Sequence, residues 1–256
     1  MNDPYPDLLE RARGPARSCY PELAALLSGL PPTTCRRKAS CCALMPPMSL
    51  LEACRLFDAV VALPEPTGRD LLLRCLDYYF LNPVRIMGCP FLQDAGCLLY
   101  ADRPFGCRAY GLWSPGRYRR QRDQAEKGQK AVQKAWLNLG VTLPRSVVNH
   151  RPPYCRDVST ADGSTIYDRE LEAVRQGLDD LDRRLGAEGL AFSRHFVGDL
   201  SFLTASILLG REAALHGKVA VVREALRGGA DSELDYLRDR AGDRVGRIRG
   251  LRDPGA

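Results

Sequence analysis

A mainly helical fold is what this sequence predicts, on three observations. Apolar residues recur at spacings of three and four through most of the chain, as in Leu171, Val174, Leu178, Leu181 and Leu185. Alternating strand patterns are scarce, and neither repeats nor low-complexity tracts interrupt the chain. Six of the ten cysteines fall in two sequences between helices, TTCRRKASCCAL and GCPFLQDAGCLLYADRPFGC. At 256 residues the chain has room for one domain or two. The division expected is a small helical cysteine-cluster domain with long loops, residues 1–156 including a basic helix, followed by a helical C-terminal region, residues 157–256, able to pack on the first.

The elements follow from local signals. PELAALLSG at 21–29 reads as a helix with Pro21 in its first turn, closing near Gly29, and Pro31-Pro32 bars continuation. Ser49 and Glu52 have the spacing of a capping box ahead of a helix that carries Cys54 with Leu50, Phe57 and Val61. Thr67, with Asp70 three residues on, starts the next helix, where Cys75 lies among Leu71, Leu72, Tyr78 and Tyr79. Cys54 and Cys75 therefore read as small hydrophobes on inner helix faces. Cys19 and Cys155 lie in Pro-containing loop sequence and receive no role.

The second cysteine loop runs to about Trp113. From 121 to 139, Ala125, Val132, Ala135, Trp136 and Leu139 recur at near-helical spacing with Lys127, Lys130 and Lys134 on the other side, which predicts an amphipathic helix with a basic outer face. Residues 144–165 are Pro-rich and read as irregular. The leucine series from Leu171 then forms a seam for one partner helix, and helical sequence covers about 190–227 and 232–249.

Composition bounds the function. The opening MNDPYPDLLE holds acids and prolines and no apolar run, so neither a secretory signal nor a transit peptide is expected there. The segment FVGDLSFLTASILLG at 196–210 is shorter than the ~20 residues of a membrane span and contains Asp199, so it reads as a buried helix. These features predict a cytoplasmic protein without a membrane segment. In a reducing compartment, cysteines in this number serve metal binding or catalysis rather than disulfides. Dinucleotide-type glycine loops, Ser-His-Asp arrangements and His-Glu-x-x-His motifs are absent from the sequence, which leaves any enzymatic role without a recognisable catalytic residue.

The six loop cysteines, Cys35, Cys41, Cys42, Cys89, Cys97 and Cys107, are the candidate metal ligands. Converging thiolates must come from loops, because a helix spreads consecutive side chains around its axis. Glycine precedes each of Cys89, Cys97 and Cys107. Gly88, Gly96 and Gly106 thus supply flexible points or close main-chain approach. Of the adjacent Cys41 and Cys42, one is expected to ligate and the other to pack, or the two to serve separate centres.

The first-block cysteines, the later Gly88-Cys89-Pro90-Phe91-Leu92, and the run of Gly96, Cys97, Tyr100, Arg103, Pro104, Cys107, Arg108 and Tyr110 resemble the YkgJ-like cysteine-cluster family, described as zinc- or iron-chelating. The resemblance covers roughly residues 35–113 and implies a metal-chelating domain. It departs from the family at Lys38, where many members have a further cysteine.

All-thiolate ligation with long gaps suits an iron–sulfur cluster of the 4Fe–4S kind. Zinc is the alternative, since four thiolates also satisfy it, although the short paired knuckles and histidines common in zinc sites are missing here. Phe91, Tyr100, Phe105 and Tyr110 are expected to screen the centre, and Arg108 to offset its charge. Between 103 and 156 there are twelve Lys and Arg against two acids, Asp123 and Glu126, in a chain of net charge +6. Arg117, Arg119, Arg120 and Arg122 accordingly mark a surface for a polyanion, nucleic acid included, or for a protein partner. The expected function is an iron–sulfur protein with a redox or accessory role in macromolecule modification. The alternatives are a zinc-stabilised interaction module and a modification enzyme related to bacterial flagellin lysine N-methylase, which carries a similar cysteine cluster.

Overall fold

The computed structural model describes residues 6–35, 39–94, 96–195 and 199–250. Within them the protein is mainly α. Helices α1 (Pro6–Ser28), α2 (Leu50–Ala62) and α3 (Thr67–Leu81) form the N-terminal part, and α7 (Asp168–Arg183), α8 (Gly186–His195), α9 (Leu200–Leu209), α10 (Arg211–Leu226) and α11 (Ser232–Gly250) the C-terminal part. Between them lie α4 (Phe105–Arg108), α5 (Pro115–Asn138) and α6 (Arg145–Val148). The strands are short: β1 (Thr33–Cys35), β2 (Leu92–Gln93), β3 (Gly96–Cys97) and β4 (Val158–Thr160).

One contiguous apolar core joins the two parts. At its centre is α9, buried at nine of its ten positions, including Leu200, Phe202, Leu203 and Leu208. Such an all-round apolar helix must be enclosed by others; α3, α10, α11 and α1 surround it. Asp199 caps it by accepting from the amide of Phe202 at 3.0 Å. The Leu171 seam packs as expected against a partner helix. That partner is α1 of the same chain, and the approach is close enough that a Cβ at Gly177 would lie 2.9 Å from Leu26 Cδ1. Among the described residues no helix is long and apolar enough to cross a membrane. Residues 196–198 of the apolar segment, Lys38 of the first loop and the first five residues of the chain lie outside the described residues.

Three expectations are corrected. The first helix does not start at Pro21 but runs from Pro6 through Pro15 and Pro21. Ala12, Ala16, Cys19, Leu23 and Leu27 form one buried stripe across both prolines. Burial of that stripe outweighs the helix bonds the prolines cannot make. Cys19 is therefore a core residue of a helix rather than a loop cysteine.

The long basic helix α5 lacks the predicted apolar face. Ala125, Val132, Ala135 and Leu139 are all exposed, and only Trp136 is buried. The helix is tied down at its ends. Ser114 donates from its amide to Asp168 at 2.8 Å at one end, while Trp136 packs with Val141, Leu143 and Val222 at the other.

The Pro-rich segment is not wholly irregular. Its β4 pairs antiparallel with β1, with Thr33 opposite Thr160 and Cys35 opposite Val158. Gly111 makes room for this pairing: its φ of +84° favours glycine, and a Cβ there would lie 3.0 Å from Val158 Cβ.

Candidate metal centre

The two cysteine loops meet over the N-terminal end of α2. Cys42, in a 3-10 turn at Ser40–Ala43, follows Ala39 in the left-handed region at φ +55°. Its carbonyl accepts from the amide of Cys89 at 2.6 Å. From Cys89 the chain enters the β2–β3 hairpin, in which Leu92 stands opposite Cys97 and the amide of Leu98 donates to Phe91 at 2.9 Å. Asp94, at φ +47°, turns this hairpin. The chain then reaches Cys107 in the short helix α4.

Cys42, Cys89, Cys97 and Cys107 line one cavity of about 160 Å³. Its other walls are chiefly apolar, among them Met45, Met48, Leu56, Phe91 and Leu99. Among the described residues neither a carboxylate nor an imidazole lines it. No three His, Cys, Asp or Glu side chains among the described residues stand together as a site for a single metal ion. The four cysteines thus border a shared space rather than a shared point. The side chains of Cys35 and Cys41 lie outside the described residues, and only their backbones, in β1 and the 3-10 turn, are placed.

Glu52 positions both loops. It is buried, and it completes the predicted capping box: Ser49 Oγ accepts from the Glu52 amide at 3.2 Å, and Glu52 Oε2 accepts from the Ser49 amide at 3.0 Å. Its other oxygen accepts from the Phe105 amide at 2.6 Å, at the start of the helix that carries Cys107. Burial raises the pKa of Glu52, and the two backbone hydrogen bonds oppose that shift. The neighbouring amide of Leu51 donates to Asp182 of α7 at 2.9 Å. The N-terminus of α2 is thereby satisfied by its own capping box and by one carboxylate from the C-terminal part of the chain. In the first loop, the Met45 amide donates to the Tyr78 hydroxyl at 2.9 Å, fixing that loop on α3.

The structure redistributes the expected supporting roles. Phe91 and Tyr100 line the cavity. Phe105 instead packs edge-on against Trp113, with centroids 6.2 Å apart, and the Tyr110 hydroxyl donates to the carbonyl of Pro153. Arg108 does not line the cavity either. Its guanidinium donates to the carbonyl of Arg103 at 2.8 Å and to that of Ala101, which holds the turn together. The arginine that lines the cavity is Arg103, stacked on Tyr100 at 3.5 Å from the ring centroid.

Close main-chain approach, expected of the glycines before the cysteines, holds at one of the three. Only Gly106 is required sterically, since a Cβ there would lie 3.0 Å from Pro46 Cβ. Cys54 and Cys75 are fully buried on α2 and α3, as their spacing predicts, and burial raises both thiol pKa values.

A second cleft, of about 290 Å³, lies at the start of α5. Arg119 and Arg122 of the predicted basic surface line it, and Arg151 and Arg156 of the Pro-rich segment face them. Arg117 is committed elsewhere, paired with Glu172 at 3.0 Å and 5.5 Å from the centroid of the Trp113 ring. Arg120 lies on the same helix outside the cleft. Sequence reasoning gave no site role to Glu52, Arg151 or Arg156, and it named Arg103 in the second cysteine block while giving the charge-offsetting role to Arg108. A capping-box spacing signalled half of the Glu52 role, and the basic count over 103–156 included Arg151 and Arg156 without singling them out.

Comparison with family models, with curated proteins and with solved structures returned no match to this chain.

Proposed function

We propose that the chain is a metal-binding protein that holds an iron–sulfur cluster in the cavity lined by Cys42, Cys89, Cys97 and Cys107, with Cys35 or Cys41 available as a further or substitute ligand. The observation that carries this reading is the meeting of four cysteines, from loops more than forty residues apart in sequence, around one largely apolar space. The donor set fits. It consists of soft sulfurs alone, which select iron–sulfur clusters, zinc or copper(I) over hard cations. Its surroundings are apolar, and burial of this kind tunes the potential of a cluster. Bound there, a 4Fe–4S centre would supply one-electron chemistry, consistent with a redox or accessory role in macromolecule modification. Arg103 is the cation placed to offset thiolate charge.

Zinc is the second reading, because four thiolates also form a complete zinc set. The chain would then be an interaction module stabilised by metal. Iron, zinc and acid-labile sulfide analysis of anoxically purified protein separates the two. Iron with an equal amount of sulfide, in a brown protein, supports the cluster, and a colourless protein with one zinc per chain supports the module.

A further inference from the structure

We propose that the arginine cleft at the start of α5 seats a phosphate group of a single-stranded nucleic acid, and that the bare face of α5 carries the strand onward. Four arginines line the cleft from two segments: Arg119 and Arg122 from α5, Arg151 and Arg156 from the Pro-rich segment, with the Arg151 guanidinium also donating to the carbonyls of Val148 and His150 at 2.7 Å. Glu126 is 3.8 Å from Arg122 and 3.7 Å from Arg151, so a single carboxylate is shared by two of the four. Arg119 and Arg156 have no carboxylate within ion-pair distance among the described residues. Like charges gathered without enough acids in a confined cleft favour binding of an anion.

The cleft is built rather than incidental. The Tyr118 hydroxyl donates to the carbonyl of Pro152, and the Tyr154 hydroxyl donates to that of Trp113 at 3.1 Å. These bonds fix both walls, and the two rings lie 5.2 Å apart between them. Tyrosine rings beside arginines are the recurrent platform for unstacked bases.

Continuity along α5 favours a strand over a small anion. Arg119, Lys127, Lys130 and Lys134 are all exposed, lie on one side of the helix, and lead away from the cleft along an element about 36 Å long. A helix that projects charge and buries almost nothing along its middle gains no core stability from its length. Its exposed row of cations matches a repeating anion. This inference does not rest on the metal reading.

The test is a fluorescence anisotropy titration of the full chain with a labelled oligothymidylate over a range of salt concentrations. Arg119→Glu with Arg156→Glu is expected to weaken binding at least ~10-fold and to flatten the salt dependence by about 0.7 for each phosphate no longer neutralised. Arg119→Gln with Arg156→Gln should act in the same direction with a smaller loss, which guards against misfolding of the charge-reversed protein. Arg183→Glu, on α7 away from the cleft, should leave binding unchanged. The inference is overturned if the wild-type chain does not bind the oligonucleotide, if the folded double variants bind as it does, or if polyglutamate competes as well as the oligonucleotide. That last outcome identifies an acidic protein as the partner.

Discussion

The main-chain amide of Cys89 donates to the carbonyl of Cys42 at 2.6 Å, so two cysteine-bearing loops 47 positions apart are joined by backbone alone. A bond of this kind fixes the approach of the loops whatever their side chains do. Both cysteines also line the cavity. Substituting Cys42, Cys89, Cys97 or Cys107 by Ser is therefore expected to lower bound metal severely without preventing loop closure. Substituting Cys54 by Ala should leave metal content intact and cost about 1–2 kcal/mol of stability, because that sulfur is buried in the α2 core. Metal analysis beside urea unfolding of each variant checks this division.

Glu52 accepts from the amides of Ser49 and Phe105 while itself buried. Glu52→Ala leaves a buried amide without an acceptor and removes a helix cap, which together cost about 2–4 kcal/mol. Glu52→Gln keeps one acceptor oxygen and should lose about half as much. Metal retention should fall in the same order, because the Phe105 amide opens the helix that carries Cys107. Thermal unfolding and metal content measured on the same samples report both effects.

Gly111 and Gly140 both have positive φ, +84° and +72°, and they differ in surroundings. A Cβ at Gly111 would strike Val158 at 3.0 Å and approach Cys155 at 3.2 Å, whereas nothing lies within 4 Å at Gly140. Gly140→Ala is expected to cost about 1 kcal/mol from backbone strain alone. Gly111→Ala should cost about 2–3 kcal/mol and loosen the β1–β4 pairing, seen as faster amide exchange at Thr34 and Ser159, which stand opposite each other.

Lys218 lies 3.9 Å from the centroid of the Tyr79 ring, and burial lowers its pKa to about 8, partly opposed by Asp199. Below that value the folded protein holds a charge that the unfolded chain solvates better. Between about 8 and the ordinary lysine value of 10.5 the unfolded chain binds more protons, so stability from this group rises with pH in that window. Lys218→Met should remove the rise and increase stability at pH 7 by about 1–3 kcal/mol. Urea midpoints of the two proteins at pH 7 and pH 10 measure the difference.

Much of the helical frame was legible because its signals are local. The capping spacing of Ser49 and Glu52, the seam from Leu171 and the apolar run of α9 each specify an element by periodicity or by a cap. What escaped depends on packing between segments distant in sequence. The continuation of α1 through two prolines depends on the burial of Ala12, Ala16 and Cys19, which propensity does not encode. The exposure of Val132 on α5 could not be read from its helical spacing, since an apolar stripe shows a capacity to pack and not the presence of a partner. At the candidate site, the grouping of cysteines was visible as spacing, while the placing of Arg103 rather than Arg108 at the cavity depends on the turn that Arg108 ties to the carbonyls of Arg103 and Ala101 and on the Tyr100 ring that Arg103 covers.

The most direct test of the metal account is X-ray absorption at the metal edge of anoxically purified protein. The account predicts an iron edge, a first shell of sulfur alone and a metal–metal scattering peak, all lost together in the Cys89→Ser and Cys107→Ser proteins. A first shell of nitrogen or oxygen, an isolated metal without metal neighbours, or a protein that takes up no metal would contradict it.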